Sequence, residues 1–236
     1  MSLESLITNY QPSAETQRLI SENPPVLVTG VSGAGKNYLI DQLVKTGKYG
    51  NLVTCTTRLP RENDGVLEQD GLDYYFIDLP KAQLMLEEQD FIEAKFVHGN
   101  VYGSSVAEYK RVIGLGKTPI ADIDVQGVAE YKKNAPDTKA IFVLPPSYEV
   151  WMERLKKRFK SESEFLQVWP KRRDSSIKEL EFALSSHLFE WVINGASDSV
   201  VISAERVINL PTSAFVTAEQ KQLAKNLLEE LKNDQI

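Results

Sequence analysis

Residues 30–37, GVSGAGKN, constrain this chain more than any others, because they sit between an apolar tetrapeptide and a segment of helical period. The stretch before them, VLVT, reads as a strand buried on both faces. After them, Leu39, Ile40, Leu43 and Val44 recur at the spacing of one helix face, and Gly47 offers a natural stop. A glycine-rich turn that opens a helix leaves backbone N–H groups directed inward, where they can cradle oxyanions. Lys36 adds a charge able to reach the outer phosphates of a nucleotide. Gly30, Val31, Ser32, Gly33, Ala34, Gly35, Lys36 and Asn37 are therefore the candidate phosphate loop.

The same texture continues along the chain. SVAEYKRVIGLG and QGVAEYKKN have helical period, while KTPIADIDV and KAIFVLPP read as strands. Strand and helix in alternation predict an α/β fold, a mostly parallel sheet with helices on both faces. Residues 52–104 differ: LVTCTTR, DYYFI and FIEAKFV are short β-like pieces separated by polar turns, with KAQLMLEEQD as one helix among them. Residues 149–181 are rich in Lys and Arg and read as a mobile basic flap. Near the N-terminus Ser13 is a plausible cap for SAETQRLISEN, and near the C-terminus Thr217 and Gln220 form a capping box.

Composition limits the partners. With 236 residues, 42% hydrophobic and 25% charged, the chain can bury its own core. Twenty-seven basic against 33 acidic residues give a net charge of −6, so the molecule as a whole repels polyanions and nucleic acid is not an expected partner. An anionic ligand would need its cations gathered locally. Cys55 is the only cysteine and there are two histidines, which leaves no material for a thiolate or histidine metal cage. Cys55 itself reads as a small packing residue. The N-terminal segment has no basic start followed by an apolar run, and no window approaches a membrane span, so a cytoplasmic protein without a membrane partner is expected.

Further polar clusters need explaining. IADIDVQG places Asp122 and Asp124 at the end of a strand and on one face, suited to a water-bound Mg²⁺ or to reading an acceptor. Asn37 stands where such loops usually offer Ser or Thr to Mg²⁺; its amide oxygen could ligate the ion or hold one of its waters. TCTTRLPR sets Arg58 and Arg61 about a proline, a fork suited to one phosphate, although alone it would more often be a solvated loop. Tyr74, Glu93, Tyr102 and Ser104 each have an equally bland packing or turn reading when taken singly.

Taken in order, the phosphate loop, TTRLPR, GLDYYF, FIEAKFVHGNVYGS, DIDVQG and FVLPPS resemble the guanylate kinase family over residues 26–194. The resemblance implies transfer of the γ-phosphoryl group of ATP to GMP, and also to dGMP, with Mg²⁺, giving ADP and GDP. It implies a P-loop kinase core at residues 24–53, 105–150 and 180–236, an inserted α+β nucleoside-monophosphate-binding part at 54–104 and a helical lid at 151–179. Residues 1–23 form an extension outside it, read as a packing helix without chemistry. By the same resemblance Arg58, Arg61, Tyr74 and Tyr102 clamp the GMP phosphate, Glu93 reads guanine, and Thr54, Ser104 and Asp124 complete base recognition. Arg154, Arg158, Arg172 and Arg173 fall where lid arginines close over the ATP phosphates, and Asn194 falls at an adenine contact. Asn37 and Tyr38 depart from the usual hydroxyl residues, and the segment between Arg61 and Tyr74 is longer than the family spacing. Two other readings stay open: a phosphotransferase with another acceptor, which retention of Glu93, Thr54 and Asp124 opposes, and a binding module that has lost catalysis.

Overall fold

Two kinds of β segment separate in the folded chain: apolar runs buried along nearly their whole length, and short half-polar pieces. The structure, a computed structural model, describes all residues except 1–2, 64–65, 98, 196–198, 210–215 and 235–236. In chain order the first elements are α1 (Leu3–Thr8), α2 (Ala14–Glu22), β1 (Val26–Thr29), α3 (Lys36–Lys45), β2 (Tyr49–Asn51) and β3 (Cys55–Thr56). There follow β4 (Glu62–Asn63), β5 (Val66–Leu67), β6 (Tyr75–Phe76), α4 (Leu79–Glu87), β7 (Phe91–Val97), β8 (Asn100–Ser105) and α5 (Val106–Gly114). The rest are β9 (Thr118–Asp122), α6 (Val125–Asn134), β10 (Lys139–Leu144), α7 (Tyr148–Lys156), α8 (Glu162–Ser186), β11 (Glu190–Ile193), α9 (Ser199–Asn209) and α10 (Ala218–Asn233). The chain divides into two units, each assembled from two stretches of sequence.

One unit comprises Pro25–Thr46 and Ile120–Ile236. Its strands pair in parallel in the order β11-β10-β1-β9, with Val28 opposite Ile141 on one side and Asp122 on the other. Strands covered on both faces need apolar residues at consecutive positions, and Val26, Leu27, Val28 and Thr29 are all buried. Parallel pairing requires crossovers, supplied here by helices that start on side-chain oxygens: Asp124 accepts from Gly127 N, Ser147 from Val150 N, Ser161 from Glu164 N. The capping box of Thr217 and Gln220 is present at the start of α10.

The other unit comprises Met1–Pro24 and Gly47–Pro119. Its mixed sheet runs β6-β3-β8-β7, with β3 parallel to β6 and antiparallel to β8, and β7 antiparallel to β8 at the edge. Cys55, Met85, Leu86 and Phe91 form its core, against which Leu3, Leu6, Ile7 and Tyr10 of the N-terminal segment pack. Burial pushes the Cys55 thiol up to about 11, as befits a packing residue.

The basic stretch 149–181 is helical, in α7 and α8, and it is anchored by aromatic residues. Trp151, Phe165 and Trp169 are fully buried, and Trp169 Nε1 donates to Asp234 Oδ2 at 3.0 Å, so this tryptophan packs within its unit. Among the described residues no helix is long and apolar enough to cross a membrane. Residue 98, within the quoted FIEAKFVHGNVYGS, lies outside the described residues.

Candidate active site

The phosphate loop follows β1 at the carboxyl end of the parallel strands, the end at which open α/β sheets bind ligands. Two of its glycines are there for space. A Cβ on Gly30, at φ +138°, would stand 2.4 Å from Val143 O, and one on Gly35, at φ +90°, would stand 2.0 Å from Asn194 Nδ2. The loop lies against β10 on one side and is braced by a buried amide on the other. Asn194 Nδ2 donates to Ala34 O at 2.9 Å and Gly35 O at 3.3 Å. Trp151 Nε1 donates to Ser32 O at 2.7 Å. Val31 and Ala34 are buried and Asn37 is the second residue of α3.

Cations converge on this loop. Lys36 Nζ donates to Gly30 O at 2.9 Å and stands 4.0 Å from Asp122 Oδ1. Arg172 Nη1 donates to Ser32 Oγ at 2.8 Å, and its guanidinium lies 5.5 Å from the centre of the Phe159 ring. Burial, then the neighbouring Arg158, lowers the pKa of Arg172. Arg154 Nη2 donates to Asn194 O at 3.2 Å. Arg173 turns elsewhere, donating from Nη1 to Asp234 O at 2.7 Å. Buried nitrogens of Arg154 (Nη1) and Arg172 (Nε) have no hydrogen-bond partner. Buried guanidinium donors left unsatisfied beside a cradle of backbone N–H groups fit phosphate oxygens.

Carboxylates stand behind Lys36. Burial raises the Asp122 pKa, with Lys36 opposing and Asp124 adding to the shift. Asp124 caps α6, accepting from Gly127 N at 2.7 Å, so the two aspartates are not alternate residues of one strand. A third carboxyl, Glu179, is pushed up to about 7 by burial, with Lys36 lowering it and both aspartates raising it; its Oε2 has no hydrogen-bond partner. No group of three or more His, Cys, Asp or Glu among the described residues stands together as a metal-holding set. Mg²⁺ dehydrates reluctantly and takes one or two carboxylates together with phosphate oxygens and waters, so Asp122 and its neighbours fit an ion held largely by the nucleotide.

Glu179 yields a pH prediction. Its folded pKa lies above the ordinary value, so the folded state binds the extra proton and loses stability as pH rises from about 4.5 through about 7. Urea denaturation of the nucleotide-free protein should show a loss on the order of 2–3 kcal/mol between pH 4.5 and 8 from this group. Glu179→Gln should abolish that part of the loss. A variant with the wild-type pH dependence would contradict the assignment.

The other unit carries a second constellation. Arg58, buried on the loop after β3, donates from Nη1 to Glu68 Oε2 at 2.8 Å and from Nη2 to Glu68 Oε1 at 3.0 Å. Glu68 also accepts from Arg61 N at 2.8 Å, which fixes the exposed Arg61 in the same turn. The Arg58 guanidinium lies 5.2 Å from the centre of the Tyr74 ring, and Glu68 chiefly, with Tyr102 also contributing, raises its pKa. The two tyrosine rings meet edge to face at 6.2 Å. Arg58, Tyr74 and Tyr102 are thus brought together. Glu93 Oε1 accepts from Ser104 N at 3.0 Å and Ser104 Oγ at 2.9 Å across the β7–β8 pair. Thr54 O accepts from Tyr75 N at 2.9 Å.

Neither Glu68 nor Glu179 stands out in the sequence. Glu68 lies in a polar turn with Glu62 and Asp70 nearby, and Glu179 lies beside Glu181 in a charged helix. Their partners, far along the chain or across a turn, are what distinguish them.

A parallel sheet whose strand β1 runs into GVSGAGK at a helix N-terminus, with lysine and arginine beside it, has the strand, loop and helix context of the class of proteins that carry the GxxxxGK phosphate-loop motif. The sequence model of the guanylate kinase family matches residues 22–197, and the chain belongs to that family. It is 39% identical over 171 residues to Guanylate kinase 1 of Oryza sativa subsp. japonica, an alignment covering 72% of this chain and 43% of that protein. The guanylate kinase of Schizosaccharomyces pombe is 36% identical over 172 residues, covering 72% of this chain and 81% of the relative. The chain therefore spans less than half of the two plant relatives, 43% in Oryza and 42% in Arabidopsis thaliana. The crystal structure of guanylate kinase from Anaplasma phagocytophilum superposes with a TM-score of 0.52 at 22% identity, covering 78% of this chain and 82% of that one, and shares its fold.

Proposed function

We propose that this protein transfers the γ-phosphoryl group of ATP to GMP, and to dGMP, giving ADP and GDP, as a cytoplasmic enzyme of purine nucleotide metabolism. The observation that carries this reading is the pairing of Glu93 with Ser104 on the sheet that also presents Arg58, Tyr74 and Tyr102. A carboxylate fixed by two hydrogen bonds can accept from the ring N1–H and exocyclic amine of guanine, donors that adenine does not present together. Facing adenine, the same half-buried acceptor would gain no such donors, which is a strong basis for rejection. Residues 54–104 hold the acceptor on this reading, with Arg58, Arg61 and the two tyrosines on its phosphate and with Thr54 and Ser104 completing the base contacts.

The donor phosphates bind in the loop of residues 30–37. Lys36 neutralises the outer phosphates; Arg154 and Arg172, from the lid of residues 151–179, satisfy their unpaired N–H groups on phosphate oxygens, and Arg158 adds its charge there. Of the adjacent arginines, the contact of Arg172 with Ser32 supports it over Arg173, which is engaged with Asp234. Asn194 holds the loop's carbonyls and thereby its shape beside the base. Bound Mg²⁺ would neutralise charge on the transferring group, with Asp122 and Asn37 holding its waters. Phosphoryl transfer passes through a loose transition state, so the residues act by alignment and charge rather than through a general base.

A coupled assay of ADP release with ATP, Mg²⁺ and a panel of nucleoside monophosphates tests the proposal. GMP should be the preferred acceptor. Greater activity with AMP or CMP overturns the guanine assignment, and no turnover with any acceptor favours a binding module. In the same assay Asn37→Ser should keep turnover within about tenfold of wild type, because a residue that holds Mg²⁺ only through water is replaceable by a hydroxyl. Abolished turnover would assign the amide a specific role.

A further inference from the structure

The family match begins at residue 22, yet Tyr10, well outside it, makes two of the most directed contacts in the acceptor-binding unit. Its hydroxyl accepts from Phe91 N at 3.0 Å and donates to Phe91 O at 2.5 Å, while its ring meets that of Phe91 edge to face at 6.4 Å. Phe91 opens β7, the edge strand of the sheet, and is paired with Ser105. Because the phenol takes both its N–H and its C=O, both point outward from the sheet, where an edge strand would ordinarily be solvated. Gln89 Nε2 adds a hydrogen bond to Gln11 O at 3.0 Å, and Leu3, Leu6 and Ile7 pack on the core beneath.

Immediately after Phe91 the register shifts. Phe91 opposes Ser105 and Glu93 opposes Ser104, so Ile92 is an extra residue and β7 carries a bulge between Phe91 and Glu93. A bulge re-aims the side chain that follows it, and a strand that slips by one residue turns every side chain to the other face. The direction of Glu93 therefore depends on where this bulge is fixed. Ser104 holds Glu93 from the far side; the near side is held at Phe91, by the Tyr10 hydroxyl.

We propose that Tyr10 is a positioning residue for base recognition: by pinning the backbone of Phe91 it fixes the bulge that aims Glu93, and so sharpens the choice of guanine. This rests on Glu93 being the guanine reader. The phenol is pushed up to about 12, chiefly by burial, so it stays protonated and able to donate throughout the working pH range.

The test is Tyr10→Phe, which removes only the hydroxyl, assayed with GMP and with inosine monophosphate, which lacks the exocyclic amine. KM for GMP should rise about 5- to 10-fold, the worth of one or two hydrogen bonds, and the preference for GMP over inosine monophosphate should fall about 5-fold. The kcat with GMP and KM for ATP should stay within about twofold of wild type. Tyr109→Phe is the control for general loosening: it loses a hydroxyl that donates to Asn23 O at 2.6 Å in the same unit and not to the backbone of Phe91. It should leave the preference unchanged. Glu93→Gln separates the two ideas. If it leaves the preference intact, the reading of Glu93 fails. If it collapses the preference while Tyr10→Phe keeps it, or while Tyr10→Phe and Tyr109→Phe lower it equally, the role of Tyr10 is overturned. Should Tyr10→Phe not fold, amide exchange in the wild type decides: the Phe91 amide should exchange at least about 100-fold more slowly than a solvated edge amide, and equal rates would refute the pin.

Discussion

Lys36→Ala should lower turnover about 10³-fold while leaving a folded protein. The ammonium group lies at the loop, 2.9 Å from Gly30 O and 4.0 Å from Asp122. Charge placed in advance where phosphoryl oxygens gather charge in the transition state is worth about 10²–10³ in rate, and more where it meets the transferring group itself. Alanine also leaves Asp122 and Glu179 without their nearest compensating cation, so Glu179 should titrate still higher in the variant. Single-turnover kinetics, circular dichroism and a urea melt measure the three effects. Turnover within a few-fold of wild type would remove Lys36 from the mechanism.

Arg58→Ala should raise KM for GMP about 10²-fold or more, and it should also destabilise the protein. A bidentate guanidinium on a phosphate is among the stronger single contacts available. Without it, Glu68 is left as a nearly buried carboxylate whose two oxygens have lost the fork at 2.8 and 3.0 Å. Breaking a buried pair from one side costs about 3–5 kcal/mol, whereas removing both partners costs much less. The double variant Arg58→Ala with Glu68→Ala should thus regain most of the stability in a urea melt and none of the GMP affinity. Arg58→Lys should keep the charge and lose the fork, with intermediate KM. If the double variant recovers GMP binding, Arg58 is a structural partner of Glu68 and not a ligand of phosphate.

The parallel core was legible because its signals are local. VLVT and KAIFVL are apolar at consecutive positions, and the glycines between β1 and α3 stand where a side chain would strike Val143 or Asn194. The basic stretch of residues 149–181 was less so. Pro170 and a dense run of Lys and Arg conceal a helix of 25 residues, Glu162–Ser186, whose apolar contacts come from isolated residues, Phe165, Trp169, Leu180 and Ala183. Period two put Asp122 and Asp124 on one strand face, but the strand ends at Asp122 and the second aspartate caps a helix, as Asp, a good N-cap, readily does. The spacing of Arg58 and Arg61 suggests a fork, while its use as a phosphate clamp is what the family resemblance implies. The counter-ion Glu68 could not be read, since a turn of many polar residues does not say which one folds back. The service of Tyr10 to Phe91 joins positions 81 apart in sequence, beyond any periodic signal.

The amide of Asn194 that braces the phosphate loop lies 160 residues beyond Ala34. At a synthesis rate of about 5–20 residues per second, the loop leaves the ribosome roughly 8 to 32 seconds before its brace is made. Val143, whose backbone walls the loop at Gly30, also comes late. A growing chain therefore displays the nucleotide-binding signature long before it can assemble the site. Chains cut short before Asn194 lack the amide that braces the loop, so they carry the signature without the loop's final shape.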